Sequence, residues 1–239
     1  MFSCLYCTCL SSAATRWLCG VLLIVVVARG AARAQSATFP PNPSPPVPTN
    51  ATESPLRRGV NEYGIWTGYS PFSFVLKGTS TGRQLFLLNL QYARTLLATR
   101  PLTLKYTAEA VPVALEIQPT QRYIVDGKLL INPAATIYGA GASPAGLQAN
   151  FGRKRIQPFT DGSVGFLYFR RQVPVVGSSQ FNYNVTVGFG VQVFPRAGRS
   201  FTAGWKYHHL SNNHQGHLNP GIDSGVFYIG FSVFHAKKK

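Results

Sequence analysis

Between Phe181 and Phe194 the chain alternates with a strict period of two. Phe181, Tyr183, Val185, Val187, Phe189, Val191 and Val193 occupy the odd positions, and Asn182, Asn184, Thr186, Gly188, Gly190 and Gln192 the even ones. Successive side chains of an extended strand point to opposite faces, so the segment has one apolar, aromatic face and one small, polar face. Leu102 to Ala110 repeats the pattern, with Leu102, Leu104, Tyr106, Ala108 and Ala110 set against Thr103, Lys105, Thr107 and Glu109. From about residue 60 onward no helical period competes with this alternation.

Eight such stretches are legible, at 61–70, 84–95, 101–114, 138–151, 156–169, 181–194, 200–210 and 225–234. The links 71–83, 115–137, 170–180 and 211–224 are long, whereas 96–100, 152–155 and 195–199 are short. Long connections at one rim and tight turns at the other are the signature of a barrel inserted in an outer membrane, with both termini on the periplasmic side. A soluble, periplasmic lipid-binding barrel would turn the apolar face inward. Lys105, Glu109 and Lys206 on the polar side favour a polar lumen. The expectation is therefore an all-β, eight-stranded antiparallel transmembrane β-barrel of the outer-membrane type.

Composition agrees with a sheet that meets something other than water. Charged residues are 13% of the chain, about half the usual share of a soluble domain, and aromatics are also 13%. Residues 1–34 read as a signal peptide: Arg16, an apolar run from Trp17 to Val27, and Ala32-Arg33-Ala34 before the expected cleavage. All four cysteines lie in that stretch, so the mature chain would have neither disulfides nor a thiol nucleophile. Residues 35–58 read as a Pro-rich, disordered linker, because prolines at 40, 41, 43, 45, 46, 48 and 55 remove ladder donors. The barrel domain is assigned to 59–239. A formal charge of +16 falls to about +13 once the leader leaves, which suits an anionic membrane surface. No nucleic-acid-binding motif is present, and no cofactor is implied.

Chemistry concentrates in Tyr207-His208-His209-Leu210-Ser211-Asn212-Asn213 and Asn219-Pro220-Gly221-Ile222-Asp223-Ser224. Positions i and i+2 of a strand share a face, so His209 and Ser211 point the same way as Phe201, Ala203, Trp205 and Tyr207. That is the lipid-facing side, where unpaired polar groups are costly. A serine hydroxyl needs a base and a group that orients the base. His209 is the expected base and Asp223, which begins the next strand with the same parity, the orienting acid. Asn212 is the expected oxyanion donor through its side-chain amide, helped by backbone N–H groups of the loop. His208 faces the other way. His208, His209, His214 and His217 match no metal-ligand spacing, so no metal is expected. Arg170 and Arg171, near the outer rim, are candidate contacts for lipid phosphates. Arg153-Lys154-Arg155, Arg196 and Arg199 fall at periplasmic turns.

The His209-x-Ser211-Asn212 motif, with an acid twelve positions after the serine, resembles the lipid A deacylases of the PagL and acyloxyacyl hydrolase type. The resemblance extends through Tyr138-Gly-Ala-Gly, Gln157-Pro-Phe and Phe181-Asn, and covers roughly residues 60–234. In the PagL branch the acid is usually glutamate, whereas Asp223 stands here. The resemblance implies a serine esterase in the bacterial outer membrane. Its substrate would be lipopolysaccharide in the outer leaflet, from whose lipid A it would release an ester-linked acyl chain. The alternative is a small outer-membrane barrel with a structural or adhesive role and no enzymatic activity.

Overall fold

The computed structural model describes residues 56–196 and 198–235. The expected signal peptide, and the linker as far as residue 55, lie outside them. Leu56, assigned to the linker by sequence, is fully buried.

Among the described residues eleven strands follow one another: β1 Asn61–Ser70, β2 Ser73–Phe74, β3 Gln84–Ala98, β4 Leu102–Gln118, β5 Gln121–Val125, β6 Lys128–Asn132, β7 Ala135–Phe151, β8 Ile156–Val173, β9 Ser179–Arg196, β10 Arg199–Ser211 and β11 Ile222–His235. Eight of them pair antiparallel with their neighbours in the order β1-β3-β4-β7-β8-β9-β10-β11, and β11 returns to β1 from Asn61↔His235 to Tyr69↔Phe227. The sheet is thus closed, which removes the exposed edges an open sheet would carry. All eight expected strands are present, and several run longer. The link expected at 115–137 is mostly strand: β4 continues to Gln118, β7 begins at Ala135, and β5 and β6 form a separate hairpin between them. Asp126 and Gly127, both at positive φ, make its two-residue turn, the backbone that a tight hairpin requires.

The two faces separate as the alternation demands. On β9, Tyr183, Val187, Phe189 and Val191 are exposed while Asn182, Asn184, Thr186 and Gln192 are buried. The buried set of the whole barrel includes Lys105, Glu62, Glu109, Glu116 and Lys206. Lys105 Nζ lies 2.8 Å from Glu62, and Lys206 Nζ lies 2.6 Å from Asp161 and 3.5 Å from Glu109. Trp66 Nε1–H donates to Glu109, and the Lys206 ammonium sits 4.9 Å from the Trp66 ring centre. Paired charges line the lumen, and the cavity bounded by Glu62, Trp66, Gln148, Asp161, Lys206 and Tyr228 is about 10 Å³. A polar interior inside an apolar outer wall is the outer-membrane arrangement.

Glycine matters where strands crowd. A Cβ on Gly141 would lie 2.0 Å from the Phe166 carbonyl oxygen, and one on Gly165 would lie 2.2 Å from that of Ala142. These two close approaches pull β7 and β8 together beside the register shift between Ala142 and Ala145.

Candidate active site

The parity of β10 decides where its polar residues go. Ser200, Lys206, His208 and Leu210 are buried, whereas Phe201 and Ala203 are exposed and Trp205, Tyr207, His209 and Ser211 partly so. His209 and Ser211 therefore stand on the outer wall, at the last turn of pairing before the loop. Asp223 has the matching parity and sits opposite His209 in the β10–β11 register. His209 Nδ1 and Asp223 Oδ1 are 2.6 Å apart, with the imidazole 15% exposed and the carboxylate fully buried. An Nδ1–H held by this carboxylate leaves Nε2 as the free base nitrogen.

Burial of Asp223 comes from a segment sequence reasoning did not place. After β2, which pairs with β11 through Phe74↔Asp223, the chain crosses the outer face of that carboxylate. The backbone N–H groups of Leu76, Lys77 and Gly78 donate to Asp223 Oδ2 at 2.8, 2.6 and 2.7 Å. Tyr207 Oη–H donates to Oδ1 at 2.7 Å, and its ring lies nearly parallel to the His209 ring, 6.4 Å between centres. Tyr207 was legible only as an aromatic of the correct parity; its phenol completes the orientation of the acid.

The Ser211 hydroxyl donates to Asn219 Oδ1 at 3.1 Å and accepts the Asn213 N–H at 3.2 Å. It makes no hydrogen bond to His209. The Asn212 side chain is buried, with Nδ2 donating to the Leu218 carbonyl and Oδ1 accepting the His214 N–H. Both ends of that amide are occupied inside the loop, so the expected side-chain oxyanion donor is not aimed at the nucleophile. The Asn212 backbone N–H instead meets Asn219 Oδ1 at 3.1 Å, beside the Ser211 hydroxyl. Asn213 and His214 follow with φ of 50° and 61°, two left-handed residues that turn the chain sharply after the serine. Asn219 is thus the residue that holds the hydroxyl, a role that sequence alone did not assign to it.

Arg170 lies two strands away. Ser211 pairs with Tyr183 and Tyr183 with Phe166, and Arg170 is four residues further out on β8, roughly 10 Å across and 13 Å outward by strand geometry. Its guanidinium sits 5.7 Å from the Tyr138 ring centre. Arg171 has lumenal parity but is exposed at the rim. Neither touches the Ser211–His209–Asp223 group. Between them and Ser211 the wall carries aromatics in contact, Phe166 and Phe181 stacked with centres 5.4 Å apart and Phe181 and Tyr183 edge-to-face at 5.1 Å. Among the described residues no group of three or more His, Cys, Asp or Glu is gathered as a metal site.

Residues 91–232 match the sequence profile of one family, described as lipid A 3-O-deacylase (PagL). The chain belongs to the PagL family. Among solved structures, the outer membrane enzyme PagL shares the fold with a TM-score of 0.51 at 15% identity, over 71% of this chain and 97% of that one. Neisserial surface protein A (TM-score 0.46, 12% identity, 73% and 96% covered) and OprG from Pseudomonas aeruginosa (0.44, 13%, 75% and 97%) are also similar. No curated protein sequence matches the chain. The PagL family profile takes in every strand from β4 to β10, most of β11, and the whole of the His209–Ser211–Asp223 group. Membership in the PagL family and the closed barrel together place the protein in the outer membrane.

Proposed function

We propose that the protein is a serine esterase that removes an ester-linked acyl chain, the 3-O-linked one by the family description, from lipid A in the outer leaflet. One observation carries the reading: a carboxylate-oriented imidazole and a serine hydroxyl share the outer wall of the barrel, two residues apart on β10, next to apolar surface. A polar group at such a place is expensive unless it works, and this one faces lipid rather than the sealed lumen.

In the proposed reaction the Ser211 hydroxyl turns from Asn219 Oδ1 toward His209 Nε2, a tightening that substrate binding commonly brings to hydrolase sites. His209 takes the hydroxyl proton as Ser211 Oγ attacks the ester carbonyl carbon, and Asp223 stabilises the imidazolium. The proton then passes to the leaving alkoxide of the sugar, which departs as an alcohol. Water, deprotonated by His209, next cleaves the acyl-serine, releasing the fatty acid and restoring Ser211. The oxyanion contribution is assigned to backbone N–H groups, that of Asn213, which donates to Ser211 Oγ and is freed when the hydroxyl turns, and that of Asn212, which donates to Asn219 Oδ1. Arg170 and Arg171 are assigned to the phosphates of lipid A, beyond the aromatic patch of Phe166, Phe181 and Tyr183.

Incubating the folded protein with lipopolysaccharide and weighing the recovered lipid A tests this. Loss of the mass of one hydroxyacyl chain is expected. Unchanged lipid A would favour the non-enzymatic barrel.

A further inference from the structure

We infer that the Leu76–Gly78 segment is a strap that fixes the acid of this site by backbone alone, and that Gly78 and Gly221 are positioning residues for the hydrolysis; the inference rests on the Ser211–His209–Asp223 reading. Three consecutive N–H groups converge on one carboxylate oxygen at 2.6–2.8 Å. Such a run of amides forms a concave anion site. The other oxygen accepts His209 Nδ1–H and the Tyr207 hydroxyl. Five donors saturate a group with about four lone-pair sites, so the carboxylate has no freedom to rotate.

The strap reaches Asp223 only because two glycines let it. A Cβ on Gly78 would lie 2.7 Å from the Gly221 carbonyl carbon and 2.8 Å from its oxygen. These are backbone atoms, which do not swing aside as a side-chain tip would. Gly221 has φ of 63°, and its own Cβ would meet the Gly78 Cα at 3.1 Å. Next to this contact the Thr79 N–H donates to Pro220 O and the Ser80 N–H to Gly221 O, tying the strap to the loop before β11. At its far end the buried Arg83 bonds Glu116, Gln118 and Gln121, and its backbone N–H reaches Ser73 Oγ. The strap is anchored on both sides of its three amides, before them by the pairing of Ser73 and Phe74 with β11 and after them by Thr79, Ser80 and Arg83.

The device is fitted to aspartate. One more methylene would drive the carboxylate about 1.5 Å into the amides that now hold it. In this chain, then, the glutamate usual in the PagL branch is not a conservative replacement. Anchoring from above replaces the reach of the longer side chain.

The test measures kcat and KM of Gly78→Ala, Asp223→Glu, Val75→Ala and Ser211→Ala, each as full-length folded protein in detergent with lipopolysaccharide. Gel mobility before and after heating reports the folded fraction. Gly78→Ala is expected to lose about 100-fold in kcat, the effect of a misplacement near 1 Å, with KM within about twofold. Asp223→Glu is expected to lose at least as much, and Val75→Ala, in the same loop with no bond to Asp223, to stay within about twofold of wild type. Wild-type kcat in Gly78→Ala, or in Asp223→Glu, overturns the strap. Should Gly78→Ala fail to fold, Asp223→Glu decides alone. Full activity in Ser211→Ala would instead sink the triad reading itself, so the two failures are distinguishable.

Discussion

The lumen and the outer end of β10 both gather charged and polar side chains, and they use them in opposite ways. Inside, Lys206 bridges Asp161 and Glu109 beneath two aromatic rings, Lys105 meets Glu62, and the cavity among them is about 10 Å³. Each of these charges has an opposite charge beside it, Lys206 serving two carboxylates, and all are buried or nearly so. Outside, Asp223 is equally buried, but the imidazole it orients stays partly exposed, and Ser211 stands beside it at the wall. A buried ion pair with no accessible partner is structure; a buried acid that presents a base to the surface is the beginning of chemistry.

Several substitutions would break or sharpen that contrast. The largest effect belongs to the wall: Ser211→Ala should lower kcat by about 10⁵- to 10⁶-fold while leaving the unfolding midpoint unchanged. Asp223→Asn, which keeps the shape but loses the charge that orients His209, should cost about 10⁴-fold. The lumen should answer in stability instead. Lys206→Met strands two carboxylates and is expected to cost about 3–5 kcal/mol in denaturant unfolding, with kcat of the folded fraction unchanged. A large loss of kcat there would mean that the lumenal network reaches the site. The smallest effect is expected at the rim: Arg170→Ala should raise KM roughly two- to fivefold, and salt should erase the difference.

Much of this was legible in the chain, for a reason particular to sheets. With a period of two, each strand declares both faces, and a charge such as Lys105 or Lys206 on the small-residue face says which is inside. The same parity put His209, Ser211 and Asp223 on one side before any pairing was known. What stayed hidden depends on contacts between distant parts. Nothing near Asp223 in sequence announces that amides 145 to 147 residues earlier will cover it. Asn212 was a reasonable donor by spacing alone, but loop folding turns its amide to Leu218 and gives the hydroxyl to Asn219. The β5–β6 hairpin was read as loop because its polar and apolar residues are too few to show a period over five-residue strands.

The account stands or falls on Ser211 acting as a nucleophile at the barrel wall. Treating the folded protein with a long-chain alkyl fluorophosphonate and mapping the adduct by peptide mass spectrometry tests that directly. The adduct should fall on Ser211 alone, block release of acyl chain from lipid A, and disappear when His209 is replaced. Complete hydrolysis by a protein that carries the label elsewhere, or takes none at all, would contradict it.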